Sequence, residues 1–256
     1  MAASLVVQPE YASLVESLGL ADVKSFFADP RIKVWRDTHD RQNATLDAAH
    51  NNKPIRLHIK RDARRVRTPL ALEAHGVSLL HHAEIATVPL VAHGYLEDGR
   101  SFVASEDLTG FAPADVLLRE KRNSFDDLLE PTARLAARLH QAGLHHRDLY
   151  LAHFFANDQR DLRLIDVARV RPIPWLFPTR WIVKDLAQFW YSTIEHGIVD
   201  AQRDEWLDTY QRARGLANTA AFRKKIVAKS SWIARHDASL RKREPNRNVS
   251  IPRGAL

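Results

Sequence analysis

Up to about residue 108 the apolar residues of this chain come in short runs cut by turn formers; beyond it they recur at helical spacing. Three strand-like runs stand first, "RIKVW" (31–35), "QNATL" (42–46) and "IRLHIK" (55–60), separated by "DTHD" and "NNKP". A helical piece around Tyr11 to Phe27 precedes them. After Pro69 the spacing of Leu70, Glu73, Val77 and Leu80 predicts a helix, and "TVPLVAHGYLE" and "SFVASEDL" predict two more strands that end at the turn "TGFAPA". Then the character changes. "SFDDLLEPTARLAARLHQAG" reads as a long helix with Ser124 as N-cap and Gly143 past its end, and Pro131 inside it as a kink or a second start. Further helices are predicted at "RWIVKDLAQFWYSTIEHG" and "AQRDEWLDTYQRARG".

A strand-rich portion with one helix, followed by a helical portion, predicts an α+β fold of two lobes. The expected divisions are a helical extension at 1–30, an N-lobe at 31–108, a C-lobe at 109–240 and a basic tail at 241–256. A cleft between two lobes is a common home for a small-molecule site.

With no cysteine, a disulfide framework and thiolate metal sites are excluded, which fits a reducing cytoplasm. No signal peptide is read in the first residues, and the longest apolar run, "IATVPLVA", is far too short to span a bilayer. The net charge of +7 is unevenly placed: from Phe222 onward there are ten Lys/Arg against two acids, so the remaining 221 residues sum to about −1. "FRKKIVAKSSWIARHDASL" predicts a helix with Phe222, Ile226, Ile233 and Leu240 near one face, docked and with its charged face solvated. The tail behind it reads as a surface that attracts anions, with a membrane ranked above nucleic acid because no aromatic-and-basic RNA motif accompanies it.

The chemistry-bearing residues are few. Phosphoryl transfer from a nucleotide needs a cation on the phosphates, carboxylates for Mg²⁺ and a group that orients the acceptor hydroxyl. Asp148, in "GLHHRDLYLAHFF", is the candidate base; Asp166, in "LRLIDVARV" 18 residues on, is the candidate metal ligand. Lys60 could reach the phosphates, with Glu73 holding its ammonium in place. Each alone has a plain structural reading, a turn residue or a surface ion pair. Their order, spacing and the change from strands to helices make the joint reading stronger. A metal cluster of His145, His146, Asp148 and His153 is disfavoured by the demands of ligand geometry.

These motifs resemble the protein-kinase-like fold, and most of all the lipopolysaccharide core kinases of the Kdo/WaaP family, from about Ile55 to Trp206. "GLHHRDLYLAHFF" resembles that family's catalytic loop, "SFVASEDL" its hinge, "LRLIDVARV" its metal-binding strand and "RWIVKDLAQFWYS" the helix that follows. The resemblance implies Asp148, Lys60 and Arg147 as catalytic residues. It also implies Lys60, Glu73, Glu106, Leu108 and His153 as the nucleotide-binding set, with Asp166 on the metal. Asp185 would brace the catalytic loop through backbone hydrogen bonds, and His146 would pack beneath Asp166. The implied reaction moves the γ-phosphate of ATP, with Mg²⁺, to a hydroxyl of the lipopolysaccharide core saccharide, with heptose as the expected sugar. It would occur in the cytoplasm, at the cytoplasmic face of the inner membrane.

Two departures from ordinary protein kinases matter. No glycine lies between Gly19 and Gly76, so the turn in "RDTHDRQN" would cover the phosphates without one, and weak ATP binding, or an N-lobe that orders only with ligand, is expected. His153 stands where most kinases place a metal-binding Asn. Mg²⁺ prefers oxygen, so a hydrogen bond within the loop is the expected role of His153, with one metal firmly held. The segment "VARVRPIPWLFPTR" has Thr179 as its only hydroxyl, three prolines and a Trp-Leu-Phe patch. It reads as ordered from the start rather than switched by phosphorylation, leaving Arg147, Arg169 and Arg171 for phosphates on an acidic acceptor. Two alternative readings remain: a small-molecule kinase of the aminoglycoside or choline type, and a pseudokinase that binds without catalysis.

Overall fold

The computed structural model describes residues 2–217 and 219–243, which fall into two units: residues up to Thr109 together with Asp166–Arg169, and Gly110–Ile165 together with the chain from Val170 on.

In the first unit the chain runs β1 (Ser4–Val7), α1 (Ala12–Ser17), α2 (Ser25–Ala28), β2 (Lys33–Asp37), β3 (Arg41–His50), β4 (Lys53–Asp62), α3 (Leu72–His82), β5 (Leu90–Tyr95) and β6 (Ser101–Glu106). The strands form one antiparallel sheet in the order β1-β5-β6-β4-β3-β2. Side chains alternate across a strand, so Ala44 and Leu46 on β3 and Leu57 and Ile59 on β4 share one buried face. The N-terminal segment covers that face: Leu14, Val15, Leu20, Val23 and Phe26 join the same core, and the Phe26 ring stacks on Phe102 at 4.1 Å between centroids.

The first thirty residues therefore differ from the helical extension expected of them. Two short helices replace one long one, and β1 adds an edge strand that pairs Ser4 with Tyr95 through Val7 with Ala92. The apolar residues of 14–26 are the sheet's cover and cannot stand apart from it. Gly94 shows how close β1 lies, since a Cβ there would sit 2.2 Å from the Ser4 carbonyl oxygen.

The second unit holds β7 (Ala112–Pro113), α4 (Ala114–Arg119), α5 (Phe125–Gln141), β8 (Leu144–His145), β9 (Phe154–Ala156), β10 (Leu162–Leu164), β11 (Arg171–Pro172), α6 (Pro178–Ile194), α7 (Asp200–Ala213) and α8 (Ala220–Arg243). Ser124 caps α5 in a capping box: its hydroxyl accepts from the Asp127 N–H at 3.2 Å, and the Asp127 carboxylate accepts from the Ser124 N–H at 2.9 Å. The helix runs through Pro131 without a second start, with the Thr132 hydroxyl bonding the Leu128 carbonyl one residue later. Gly143 follows its end at φ +69°, the left-handed conformation that glycine takes without strain. Core packing joins three helices: Trp206 of α7 stacks on Phe189 of α6 at 4.1 Å, and its indole N–H donates to the Thr132 hydroxyl of α5 at 2.9 Å. Helix α8 buries Ile226, Ser230 and Ile233, leaving Phe222 and Leu240 half-buried. Of the expected tail, 244–256 lies outside the described residues. The α+β class, with an antiparallel sheet first and helices second, is the class observed.

Candidate active site

The alternation that buries Leu57 and Ile59 turns Lys60 to the opposite face of β4, toward α3. Glu73, buried in the first turn of α3, meets it there: the Lys60 ammonium donates to both carboxylate oxygens, at 2.8 and 3.0 Å. Asp166 brings its own carboxylate to 3.9 Å from the same ammonium, so Lys60 faces two acids while its side chain stays 33% exposed. Burial disfavours the ammonium, but the charges of Glu73 and Asp166 outweigh it, and the net shift of Lys60 is upward from the ordinary lysine value. It is a cation throughout the neutral range.

Asp166 has φ +56°, an uncommon conformation for a residue other than glycine, and opens the 3-10 turn Val167–Arg169. Helix α3 packs directly on that turn. A Cβ at Gly76 would lie 2.0 Å from the Val167 carbonyl oxygen and 2.8 Å from its carbon, so this glycine is what permits the approach.

In the second unit, the loop that carries Asp148 is held from below by α6. Asp185, fully buried, accepts from the backbone N–H of His146 at 2.6 Å and of Arg147 at 2.9 Å. Gln188 accepts from the Leu149 N–H at 3.3 Å and Ser192 from the Leu151 N–H at 2.9 Å, while the Lys184 ammonium donates to the Arg147 carbonyl. Four side chains of one helix thus fix the backbone of four loop residues, His146, Arg147, Leu149 and Leu151. This clamp holds Arg147 at φ +73°, a conformation that costs about 1–3 kcal/mol when nothing compensates it.

The Gln188 amide also donates to the Asp148 carboxylate at 3.5 Å and to the Tyr150 hydroxyl at 3.2 Å. Burial pushes the Asp185 carboxyl up, but the hydrogen bond and charge of His140, the charge of His146 and the His146 N–H outweigh it, so the net shift is downward. His140 in turn bridges Asp185, at 3.4 Å, to the Tyr210 hydroxyl, at 2.7 Å.

The histidines of the loop have separate tasks. His153 donates from Nδ1 to the Asp148 carbonyl at 2.6 Å, which fixes its tautomer because a carbonyl only accepts. Its own carbonyl accepts from the Ile165 N–H at 3.0 Å, and His146 Nε2 donates to the Ile165 carbonyl at 3.1 Å. The residue before Asp166 is thereby tied twice to the loop. His145 is buried against Trp181, 4.8 Å between ring centroids, and burial pushes its imidazole down to about 4. Among the described residues no three His, Asp or Glu side chains converge as a metal site. The guanidinium of Arg147 lies over the Trp181 ring at 5.8 Å.

At the end of β6, where the resemblance puts the hinge, Glu106 accepts from the Tyr11 hydroxyl at 2.6 Å and donates its N–H to the Pro89 carbonyl at 2.9 Å; Asp107 contacts His58 Nε2 at 2.6 Å, and Leu108 is half-buried. In the glycine-free turn between β2 and β3, none of Thr38, His39 or Asp40 has a positive φ. The Arg41 carbonyl accepts from both the Thr38 N–H, at 2.9 Å, and the Thr38 hydroxyl, at 2.8 Å, and Asp40 pairs with Arg64 at 2.6 Å, so side-chain bonds reinforce the backbone bond that closes the turn.

Sequence reasoning named Asp185 but passed over Lys184, Gln188, Ser192 and His140. Gln188 and Ser192 share a face with Asp185 at i+3 and i+7, but α6 also carries Thr179, Arg180, Lys184 and Thr193, so the spacing alone does not single them out.

The model described as the lipopolysaccharide kinase (Kdo/WaaP) family matches residues 31–210. The lipopolysaccharide core heptose(I) kinase WaaP of Pseudomonas aeruginosa is 31% identical over 159 residues, 55% of this chain and 58% of that protein. Its Escherichia coli namesake is 31% identical over 125 residues, 41% and 44% respectively. The matches span about half the length of these relatives. Two solved structures of WbdD, one described as a bifunctional kinase-methyltransferase, superpose with TM-scores of 0.47 and 0.48 at 14% and 15% identity. They cover 78% and 75% of this chain, and 50% and 47% of theirs.

Proposed function

This chain belongs to the lipopolysaccharide kinase (Kdo/WaaP) family, and from that premise we propose that it is an ATP-dependent kinase that phosphorylates a sugar hydroxyl of the lipopolysaccharide inner core, with heptose as the acceptor. The observation that carries this reading is the Lys60 ammonium held by Glu73 beside the Asp166 carboxylate: a fixed cation for phosphate oxygens next to a hard oxygen donor. The donor chemistry of Asp166 suits Mg²⁺, which prefers oxygen, whereas His153 spends Nδ1 on its own loop. Magnesium, when bound, neutralises charge that develops on the transferred phosphate.

The chain's own groups would act as follows. Asp148, aimed by Gln188 and by a loop that Asp185 clamps, accepts the acceptor hydroxyl's hydrogen bond and takes its proton as the new P–O bond forms and the bond from the γ-phosphorus to the bridging oxygen breaks, with ADP leaving. Lys60 draws charge from the nucleotide phosphates, and Glu73 keeps the ammonium from wandering. Glu106 and Leu108 offer backbone groups and an apolar side chain to the base. Arg147, with Arg169 and Arg171, supplies positive charge for phosphates already on an acidic core. In this reading the reaction occurs at the cytoplasmic surface of the inner membrane, where a lipid-linked acceptor would meet ATP; no described helix is long and apolar enough to cross a membrane.

The pseudokinase reading draws on the glycine-free turn and predicts nucleotide binding without turnover. Mass spectrometry of core saccharide from cells lacking this protein tests the proposal: the loss of one phosphate supports it, and unchanged phosphorylation refutes it.

A further inference from the structure

Trp175, Leu176 and Phe177 stand at the surface of the second unit with 89%, 53% and 69% of their area exposed. A soluble surface tolerates single exposed apolar residues, but three large ones in a row are a feature that needs an occupant. Pro174 precedes them, Pro178 opens α6 directly after, and Phe177 sits in the left-handed conformation at φ +60° as that helix begins. The backbone displays them.

The neighbouring surface is basic and aromatic. On α8, Lys225, Lys229 and Trp232 recur at i, i+4 and i+7, off the buried Ile226–Ile233 face. The Lys229 ammonium lies 3.6 Å from the Trp232 ring centroid, and Trp232 is 49% exposed. Burial and then the charge of Arg180, in the first turn of α6, hold Lys229 below the ordinary lysine value, which places two cations close together. Lys225, Lys229 and Arg180 form no ion pair among the described residues. Neighbouring cations close to a Trp-Leu-Phe projection match what a charged lipid interface offers: phosphates at headgroup level and acyl chain just beneath.

We propose that Trp175, Leu176 and Phe177 insert into an anionic phospholipid bilayer while Arg180, Lys225 and Lys229 engage its headgroups. This surface works without nucleotide or saccharide, so it stands or falls apart from the kinase reading.

The test uses the full chain with vesicles of phosphatidylcholine alone or mixed with phosphatidylglycerol, in the absence of ATP and saccharide. Co-sedimentation should be about tenfold greater on the anionic vesicles and should fall with added salt. The variant Trp175→Ser/Phe177→Ser should lose binding by about tenfold, and Lys225→Glu/Lys229→Glu should lose the preference for anionic lipid. Brominated phosphatidylglycerol should quench wild-type tryptophan emission more than that of Trp175→Ser. Wild-type protein that ignores anionic vesicles, or a Trp175→Ser/Phe177→Ser variant that binds them equally, would overturn the proposal. So would a change of oligomeric state in that variant, which assigns the patch to a second copy. A thermal midpoint lowered by several degrees would assign it to cover by the chain itself.

Discussion

The two carboxylate oxygens of Glu73 each accept a hydrogen bond from the Lys60 ammonium, across the gap between α3 and β4. Glu73 is buried and Lys60 is partly open, so the pair has one anchored end and one end that can serve a ligand. Neutralising the anchored end should cost more in function than in fold. Glu73→Gln is expected to lower kcat/KM for ATP by about tenfold to a hundredfold, ~1.4–2.8 kcal/mol, as an unanchored ammonium loses its position. Steady-state kinetics beside a urea titration would show this.

Gly76→Ala inverts a familiar rule. In the middle of a helix, alanine normally stabilises relative to glycine by about 1 kcal/mol. Here the new methyl meets the Val167 backbone at 2.0 Å, just beyond Asp166, and backbone cannot step aside cheaply. The variant should be destabilised by roughly 1–3 kcal/mol, and it should need more Mg²⁺ for half-maximal turnover. Denaturant midpoints and magnesium titrations read the two effects separately.

His145 makes stability depend on pH. Its folded-state value, about 4, lies below the ordinary histidine value near 6.5, so the unfolded chain takes up the proton first. Its contribution is complete above pH ~6.5 and is lost as pH falls toward 4, by ~3 kcal/mol at most. Asp185, also shifted down, adds a loss at lower pH, below the ordinary carboxylate value of ~3.9. Urea midpoints between pH 7 and pH 4.5 should fall for wild type and fall less for His145→Phe.

Gln188→Met removes the amide that touches Asp148, Tyr150 and the Leu149 N–H while keeping most of the volume. Its expected mark is a kcat lowered by about tenfold with KM for ATP little changed, because Asp148 loses aim and the Lys60 region is untouched.

How far the fold was legible follows from period and punctuation. The strands holding Lys60 and the hinge announce themselves by alternation between turn formers, and α5 by its Ser124 cap and Gly143 stop. β1 was not legible, because "SLVV" is four residues whose edge position depends on a partner ninety residues away. The same holds for β8 and β11, two residues each, which exist only because they pair with one another. At the site, Lys60, Glu73 and Asp185 could be read from motif and spacing. The clamp by Gln188 and Ser192 could not, since nothing local distinguishes a buried polar side chain on a helix from a solvated one until the loop it holds is in place. Gly76 was equally silent: a glycine inside a helix gives no sign of what lies against it.

The central claim is that Asp148 and Asp166, together with Lys60, make this chain a phosphotransferase. The most direct measurement is ATP-dependent phosphate incorporation into purified core oligosaccharide, run with wild type, Asp148→Ala and Asp166→Ala side by side. Turnover by the wild type that falls by about a thousandfold or more in each variant is the predicted result. Equal activity in all three proteins would contradict it.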